Sequence, residues 1–584
     1  MTVFAGAYAL HGDQVVPQHL KDALARITSR ADKGVGTRYC SDQSRLYLAK
    51  WDSGAFGEPA WQESDDGSIC ALAGDPILTR QGKRPERQQQ LLSLAQTSRA
   101  LAAEALAASR GSFALVHHVA QSGELRLATD AVGLRTIYYT VQNGLLVFAT
   151  ALRVLESLAQ IDKRLSDQGM IELCVFSFPL ADRTPYDRIK VLREAEMLVA
   201  SESGVTLERY RDWASPVNQP TDMGEAAKDI HAEFERGIEL RAGSDRHVYG
   251  FLSGGMDSRA IIASLVKGGR KVEALNFSFE HSQDLEFARL FVGQIADSCD
   301  LHCSPGAAYA NYAFLAKAAM RTLESEQKLG VDRPQCIWSG DGGSVGLGHV
   351  YMNAQMLDIA RTGDVSALVD AFMSFNHQTA PVGILNGEAR VRLPKNIVDS
   401  VKSEVNRYPV HDLGRRIYFF LLFNDQRRHL FKHFETIDQH GLEVLTPFYD
   451  AAFLSKVAAT PSQWGILHRL YASFFDLLPA FATRTPWQTY PGHVPCPVSH
   501  DTAARYQWTG PLPLRQLALA ERAKLSADLL RASRFKQQPP VFSMPRIWLA
   551  ALAQTLGLRD CRHLLPALRH YKHHSAVAAR HSSG

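Results

Sequence analysis

FLSGGMDSRAIIASLVKGG, residues 251–269, joins a short apolar run to a segment of helical periodicity through a Ser-Gly-Gly turn. The run HVYGFL (247–252) is typical of a buried parallel strand, and the apolar residues after Arg259 recur at helical spacing up to Gly268 and Gly269. Such a strand, turn and helix unit lets backbone N–H groups approach an anion at the positive end of the helix dipole. The stretch therefore predicts a phosphate site at the edge of an α/β parallel sheet.

The loop Ser253-Gly254-Gly255-Met256-Asp257-Ser258 differs from the P-loop motif GxxxxGK[ST] because no lysine follows its glycines. Its serine hydroxyls and glycine amides are candidate ligands of a pyrophosphate, and Asp257 is a candidate magnesium ligand. This arrangement favours cleavage of ATP between the α- and β-phosphates, with transfer of AMP to an acyl or amide oxygen. The alternative interpretation is an ordinary glycine turn at the start of a helix.

The composition indicates a globular protein with a large core. The chain has 584 residues, of which 46% are apolar and 21% charged, as expected of two to four domains. With 64 Lys and Arg against 60 Asp and Glu, the overall charge does not favour nucleic-acid or membrane binding. We expect no membrane span, and the N-terminal MTVFAGAYALHGD lacks the basic region of a signal peptide. These features predict a cytoplasmic protein.

The eight cysteines are scattered without the rhythm of a disulfide framework, as expected of reduced thiols. The close pair in CDLHC (299–303) encloses a histidine and could bind a metal ion. No second ligand pair follows at the spacing of a zinc finger, so we favour a structural role for this segment.

Changes in pattern along the chain predict three parts. Short strand-like runs separated by Gly, Asp and Asn turns predict a β-rich domain over residues 1–215, and the polar stretch SPVNQPTDMGEAA (215–227) predicts a linker. Alternating strands and helices over 225–530 predict a parallel sheet. The extension 531–584 is basic and histidine-rich, and we expect a solvated, partly disordered end rather than a nucleic-acid or metal site.

The SGGMDS loop, together with other stretches of the chain, resembles the asparagine synthetase family. Three stretches are similar to its glutaminase domain: GSFALVHH (111–118), LRLATDAVGLRTIYY (125–139) and LLVFATALRVL (145–155). SGDGGSVGLGHVY (339–351) is similar to its second glycine-rich nucleotide and metal segment, and HGLEVLTPFYD (440–450) to its Glu-x-x-x-Pro-Phe-x-Asp signature. These blocks occur in family order and cover about residues 1–490.

The resemblance implies an N-terminal-nucleophile-type α/β sandwich domain, followed by an ATP-pyrophosphatase-type α/β domain with a parallel sheet and a helical C-terminal part. It also implies that ATP and Mg²⁺ activate a carboxylate as an acyl-adenylate, which an amine then attacks to release AMP. The implied site comprises nucleotide-binding Leu252, Ser253, Gly254, Gly255, Asp257, Ser258, Asn276 and Gly340, metal-binding Asp257 and Asp341, and catalytic Asp341 and Arg484.

The first domain departs from the family pattern at two places. Glutamine-using members carry a cysteine directly after the initiator Met, where this chain has Thr2. A threonine with a free amine serves as a nucleophile in other enzymes. However, the family's Asn-Gly-Glu segment appears here as Ala73-Gly74-Asp75, and Ala73 offers no donor to an oxyanion. We therefore expect a structural first domain without glutaminase activity.

The synthetase segment also departs from the pattern. Ser344 occupies the position of a magnesium-binding Asp, and Val345 follows where an acid is common, while Asp341 keeps the upstream acid. Because a hydroxyl binds magnesium more weakly than a carboxylate, either Asp341 and Asp257 share the ions or the metal affinity is lower.

Relatives also place a Lys two residues after an Arg near ATRTPWQTYPGH (482–493), where it stabilises charge that develops during adenylation. Here Pro486 takes that position, so Arg484 or His493 is a candidate substitute, and a purely structural loop is the alternative. For Arg259, contact with a phosphate or carboxylate and exposure to solvent stay open.

Three functions follow from these observations. The leading hypothesis is an ATP-dependent amide-forming ligase without its own glutaminase activity. Family members without the N-terminal Cys include β-lactam synthetases and lasso-peptide cyclases, which suggests natural-product, peptide or envelope modification. The second hypothesis is asparagine synthetase proper, using ammonia or glutamine, and the third is a non-catalytic nucleotide-binding scaffold. The expected substrates are ATP and an unidentified carboxylate and amine. We expect no nucleic-acid partner. The expected protein partner is either a second copy of the chain or another biosynthetic enzyme.

Overall fold

Two six-stranded antiparallel sheets form the N-terminal part of the computed structural model, within the residues that it describes. The structure describes residues 3–28, 36–57, 60–79, 85–215, 218–304, 312–327, 329–425, 427–506, 512–535 and 541–580. The strands of these sheets are β1 (Val3–Ala9), β2 (Thr37–Asp42), β3 (Leu46–Asp52), β4 (Trp61–Glu63), β5 (Ile69–Gly74), β6 (Phe113–Val119), β7 (Glu124–Thr129), β8 (Tyr138–Gln142), β9 (Leu145–Ala149), β10 (Lys190–Val191), β11 (Glu196–Ser201) and β12 (Gly204–Arg209). Their orders are β10-β8-β9-β1-β3-β2 and β12-β11-β7-β6-β5-β4.

Alternation of side chains along the strands builds a layered core. In β6, Ala114 and Val116 pack between the two sheets, whereas Phe113 and Leu115 join the cluster on the outer face of the second sheet. Five helices belong to this part: α1 (Gln18–Thr28), α2 (Arg87–Ala95), α3 (Arg99–Ala107), α4 (Leu152–Ser157) and α5 (Asp167–Phe176). Apolar residues of α1 and α4 cover the first sheet, and those of α2 and α3 cover the second. The expected α/β sandwich is confirmed.

A five-stranded parallel sheet follows in the described part of the chain, in the order β15-β14-β13-β16-β17. Its strands are β13 (His247–Phe251), β14 (Lys271–Asn276), β15 (Cys299–Cys303), β16 (Cys336–Trp338) and β17 (Glu443–Leu445). The helices that accompany it are α6 (Met223–Ala242), α7 (Met256–Lys267), α8 (Gln283–Gly293) and α9 (Tyr312–Gln327). The sequence prediction of a parallel sheet is therefore confirmed, with β13 and α7 on either side of the Ser-Gly-Gly turn.

The C-terminal part is helical. Its α-helices are α10 (Ala354–Thr362), α11 (Val365–Phe375), α12 (Gly387–Asn406), α13 (Leu413–Phe420), α14 (Arg427–His440), α15 (Ala451–Ala459), α16 (Ser462–Gly465), α17 (Arg469–Phe475), α18 (Ala480–Thr483), α19 (Leu519–Ala532), α20 (Met544–Thr555) and α21 (Leu565–Ala579). Two π-helical segments, Gly343–Leu347 and Leu421–Asp425, and four 3₁₀ turns, Pro447–Tyr449, Ile466–His468, Leu514–Gln516 and Arg562–Leu564, complete the described elements. Among these described helices, none combines the length and the hydropathy that a bilayer crossing requires.

The end of the chain packs against the first domain. Leu568 and Tyr571 of α21 are buried, and His574 lies 3.0 Å from the hydroxyl of Tyr186 and 3.3 Å from the carboxylate of Glu156. The expectation of a solvated, partly disordered end is therefore wrong for residues 541–580. The basic composition masked an apolar face that α21 buries. The predicted boundary at residue 530 falls within α19.

All eight cysteines are free thiols. The CDLHC segment is strand β15, in which Cys299 at the start of the strand is buried and Cys303 at its end is exposed. Between them, His302 lies 2.6 Å from a carboxylate oxygen of Glu273 on β14. The segment therefore has the structural role that the sequence favoured.

Candidate active site

Two glycine-rich loops meet at the switch point of the parallel sheet, where the order in which the chain adds strands reverses. Strands β13 and β16 are paired neighbours, yet the chain continues from β13 to β14 on the opposite side. The loops that leave the carboxyl ends of such strands diverge and open a crevice for a ligand. Residues 252–258 follow β13 and residues 339–343 follow β16, so both sequence motifs lie at this switch point.

The loop after β13 is closed by its own serines. The Oγ atom of Ser258 accepts a hydrogen bond from the amide of Ser253 at 2.9 Å, and the Oγ atom of Ser253 accepts one from the amide of Gly255 at 3.2 Å. The side chain of Ser253 is exposed and Ser258 is buried in the first turn of α7. The loop thus holds its N–H groups in a tight turn at a helix N-terminus, the arrangement that suits phosphate oxygens.

Asp284, which is not among the residues predicted from the sequence, supports this loop. Asp284 lies in the first turn of α8, and its carboxylate accepts a hydrogen bond from the amide of Gly254 at 2.9 Å. A Cβ atom on Gly254 would lie 2.6 Å from the Cα atom of Asp284, so only glycine permits this approach. Burial raises the pKa of Asp284, and the Gly254 amide opposes that shift. An acid in a first helical turn is too common to be identified from sequence.

Glycines bring the second loop against the first. A Cβ atom on Gly340 would lie 2.6 Å from the carbonyl carbon of Asp257, and one on Gly343 would lie 2.7 Å from the Asp257 carboxylate. Gly342 adopts φ +98°, and a side chain there would meet the ring of Tyr449 at 2.6 Å. The absence of side chains at these positions therefore joins the two loops into one site.

Asp257 is the centre of the hydrogen-bond network between the loops. Its Oδ2 atom accepts from the amide of Ser344 at 3.0 Å, and its Oδ1 atom accepts from the Ser344 hydroxyl at 3.0 Å and from the Tyr471 hydroxyl at 2.6 Å. Burial raises the pKa of Asp257 to about 6, the negative charge of Asp341 adds to the shift, and the three donors oppose it. Tyr471, on α17, is a second residue that sequence reasoning missed, because it lies in an aromatic helix without a motif.

The residues present fit a magnesium ion. Asp341 follows β16 and is close enough to Asp257 for its charge to raise the pKa of that carboxyl. Its Oδ2 atom accepts a hydrogen bond from the Ser339 hydroxyl at 2.7 Å. Magnesium is commonly bound by one or two carboxylates together with the phosphates of a nucleotide, and this crevice supplies two carboxylates and serine hydroxyls. Ser344 supports Asp257 by hydrogen bonds instead of adding a third carboxylate.

Leu252 and Asn276 shape the crevice from the strand ends. The amide nitrogen of Asn276 donates to the carbonyl oxygen of Leu252 at 2.9 Å, and its side-chain oxygen accepts from the amide of Ser278 at 2.9 Å. Both residues are buried. Asn276 therefore fixes the relative positions of the β13 and β14 ends.

Neither expectation for Arg259 is met, because this side chain is fully buried. Its guanidinium donates to the carbonyl oxygens of Thr485 at 2.6 Å and Pro486 at 2.8 Å. Burial lowers its pKa to about 9. Arg259 thus faces the protein interior and anchors the 482–493 segment to α7, rather than contacting a phosphate or solvent.

The same segment carries Arg484 and contacts the SGGMDS loop through Gln488. The amide of Gln488 donates to the carbonyl oxygen of Gly254 at 3.2 Å, which ties the segment to the loop. The Arg484 side chain is exposed, and in the described part of the chain its guanidinium makes no hydrogen bond or ion pair. His493 packs against His468 with ring centroids 4.6 Å apart, and burial lowers the pKa of His493. Arg484 is therefore the better source of positive charge.

In the first domain, the residues of the predicted glutamine segment are engaged by the fold. Ala73 is buried between the sheets, and the carboxylate of Asp75 accepts from the amide of Ile77 at 3.1 Å. Nearby on β3, buried Lys50 lies 3.0 Å from Asp52, and burial lowers the pKa of Lys50 to about 7. Thr2 lies outside the described residues.

The acids of the HGLEVLTPFYD stretch join the two domains. Glu443 pairs with Arg135 of the first domain. Asp450 is fully buried and accepts from Arg110 of the first domain at 2.9 Å and from Arg241 of α6 at 2.8 Å. These acids therefore hold the domains together rather than line the crevice.

Comparisons with known proteins match both halves of this architecture. The glutamine amidotransferase domain family matches residues 93–211, and the asparagine synthase family matches residues 229–326. Asparagine synthetase [glutamine-hydrolyzing] 3 of Bacillus subtilis (strain 168) is 29% identical over 142 residues, which span 23% of this chain and only 22% of that relative.

Two solved structures are similar at low scores. The allosteric regulatory enzyme of purine biosynthesis has a TM-score of 0.26 and 13% identity, covering 52% of this chain and 80% of that one. Glutamine phosphoribosylpyrophosphate amidotransferase from B. subtilis has a TM-score of 0.24 and 14% identity, covering 52% and 81%.

Proposed function

Because this chain belongs to the asparagine synthetase family, we propose that it is an ATP-dependent amide-forming ligase that activates a carboxylate as an acyl-adenylate. The observation that carries the proposal is the meeting of the SGGMDS loop and the SGDGG loop at the switch point, with Asp257 and Asp341 in electrostatic contact. A decayed nucleotide site would have no physical need for both loops and both acids.

In this proposal the chain's own groups divide the work. The N–H and hydroxyl groups of residues 253–258 bind the β- and γ-phosphates, and Asp257 and Asp341 hold the magnesium ion. Bound there, magnesium neutralises the charge of the departing pyrophosphate. Arg484 stabilises the charge that develops at the α-phosphate when the carboxylate oxygen attacks. Ser344 and Tyr471 keep Asp257 oriented and ionised at neutral pH.

We also propose that the ligase uses an amine that the first domain does not release from glutamine. Ala73 presents a methyl group to the core where an oxyanion would need a donor, and Asp75 is engaged by a backbone amide. The amine is then free ammonia or a group of the substrate itself. Natural-product, peptide or envelope modification is the context that we propose.

The direct test is ATP–pyrophosphate exchange against a panel of carboxylates that includes aspartate and peptides. We expect exchange with one class of carboxylate and a loss of about 100-fold in Asp257→Asn. Asp370→Asn is the matched control, because Asp370 is an exposed acid on α11, outside the crevice. ATP binding without exchange across the panel would contradict the proposal and favour a non-catalytic scaffold. Exchange that requires glutamine would contradict the inactive first domain.

Asparagine synthesis is the second candidate, and the Bacillus subtilis relative's name favours it. Isotope-labelled aspartate with ammonium or glutamine as nitrogen source tests it directly. Labelled asparagine from either source would establish this candidate, and its absence from both would dismiss it.

A further inference from the structure

Helix α20 presents an apolar face to solvent. Four apolar residues each expose between 55% and 64% of their surface: Trp548, Leu549, Leu552 and Leu556. Leu556 lies at the C-terminal end of the helix. Their spacing of three to four residues places them on one side of the helix. We call this set the α20 apolar face. Exposed apolar side chains are ordinary when scattered, but a contiguous set on one helix marks an interaction surface.

The opposite side of α20 is already used by the fold. Ile547, Ala551 and Gln554 are buried, and the amide of Cys561 donates to the side-chain oxygen of Gln554 at 2.9 Å. The helix is therefore fixed in position, with its apolar face turned outwards. Leu558, just beyond the helix, is 72% exposed and extends the same apolar character.

The segment that contains this face is rich in positive charge. Residues 512–580 contain twelve Lys and Arg but three Asp and Glu, although the whole chain is nearly neutral. Arg515 and Arg559 are exposed, and Arg522 of α19 lies against Gly557 at the end of α20. The acids are engaged locally: Asp528 pairs with Arg531, Asp560 pairs with Arg562, and Glu521 accepts from the amide of Ala518.

From this combination we propose that the α20 apolar face docks the protein on the surface of an anionic phospholipid bilayer. The indole and leucine side chains would enter the boundary between headgroups and acyl chains, and arginines of the same segment would contact lipid phosphates. A second copy of the chain is a poor occupant, because it would bring an equally basic surface against the first. The proposal is independent of the ligase activity.

The test uses the full chain and vesicles of phosphatidylcholine with or without 30% phosphatidylglycerol. We expect sedimentation only with the anionic vesicles and a loss of binding at high salt. Leu549→Asp combined with Leu552→Asp should weaken binding by about tenfold or more. Because both side chains are already exposed, these changes leave the core intact. Val391→Asp is the control, since Val391 is a single apolar residue with 77% exposure on α12.

A second readout follows the face itself. The difference in emission between the unmodified chain and Trp548→Phe should shift to shorter wavelength when anionic vesicles are added. Equal binding of anionic vesicles by the double variant (Leu549→Asp with Leu552→Asp) and by the Val391→Asp control would overturn the proposal. So would the absence of binding at low salt, or a concentration-dependent dimer in solution that the two leucine changes abolish.

Discussion

At the scale of single residues, Asp257 governs the ionisation of the candidate active site. Burial raises its pKa to about 6, so the carboxyl group is neutral below that pH and ionised above it. Magnesium binding requires the ionised form. We therefore expect kcat/KM for ATP–pyrophosphate exchange to fall as the pH drops through about 6, because this parameter reports the free enzyme. A profile that stays flat down to pH 4.5 would contradict this assignment.

Tyr471→Phe tests whether Asp257 causes this fall in kcat/KM at low pH, which is the acid limb of the pH profile. The Tyr471 hydroxyl favours the ionised form of Asp257, so its removal should move the acid limb upwards by about one pH unit. Tyr39→Phe, on β2 of the first domain, is the matched control and should leave the profile in place. An unchanged limb in the Tyr471 variant would mean that another group titrates.

At the scale of elements, the site depends on backbone contact between a loop and a helix. A methyl group at Gly340 would collide with the backbone at the start of α7, 2.6 Å from the carbonyl carbon of Asp257. Gly340→Ala should therefore displace the second loop and lower exchange by about tenfold or more. In Gly293→Ala, at the end of α8, the new methyl group meets no atom within 4 Å, so activity should be kept. Equal activities in the two variants would refute the close contact.

Arg259 acts at the same scale by holding the 482–493 segment. In Arg259→Met the carbonyl oxygens of Thr485 and Pro486 lose their donors, so the segment should open more often. We expect amides of residues 484–488 to exchange their hydrogens at least about tenfold faster, measured by mass spectrometry. Arg289→Met, an exposed change on α8, should leave these rates unchanged. Protection that persists in the Arg259 variant would show that the anchor is dispensable.

At the scale of the whole molecule, buried ion pairs fasten the two domains. Arg110 binds Asp450 and also Glu233 at 2.8 Å, and both Arg110 and Asp450 are buried. Arg110→Met leaves Asp450 with less compensation, at a cost of about 3 kcal/mol. The midpoint of thermal unfolding should fall by several degrees. Arg361→Met removes an exposed pair with Asp358 and should cost less than about 1 kcal/mol. Equal midpoints would mean that the interface does not depend on this pair.

The sequence predicted best those elements whose pattern is contained in a short stretch of the chain. The strand, turn and helix from His247 to Lys267 appear as expected, because an apolar run, three turn residues and a helical repeat act within about twenty residues. The C-terminal tail was predicted wrongly because composition records the charge of α21 but not the domain surface that buries its apolar side.

For the candidate site, the sequence named the loop residues but not their supports. Asp284 and Tyr471 belong to helices without a motif, and Tyr471 is 214 residues away from the carboxylate that it contacts. Sequence also left the direction of Arg259 open, since the first turn of a helix has both a buried and an exposed side.

The sequence alone determined that this protein has a glycine turn between a buried strand and a helix, and two acids on successive glycine-rich loops. These features depend on residue type and local spacing, which the linear chain contains in full. Only the tertiary structure decided that Tyr471 and Ser344 hold Asp257, that Arg259 points inwards, that Asp450 joins the domains, and that α20 keeps an apolar face outside. The physical reason is that burial and hydrogen bonding depend on which distant segments pack together, and packing is settled by the whole core at once.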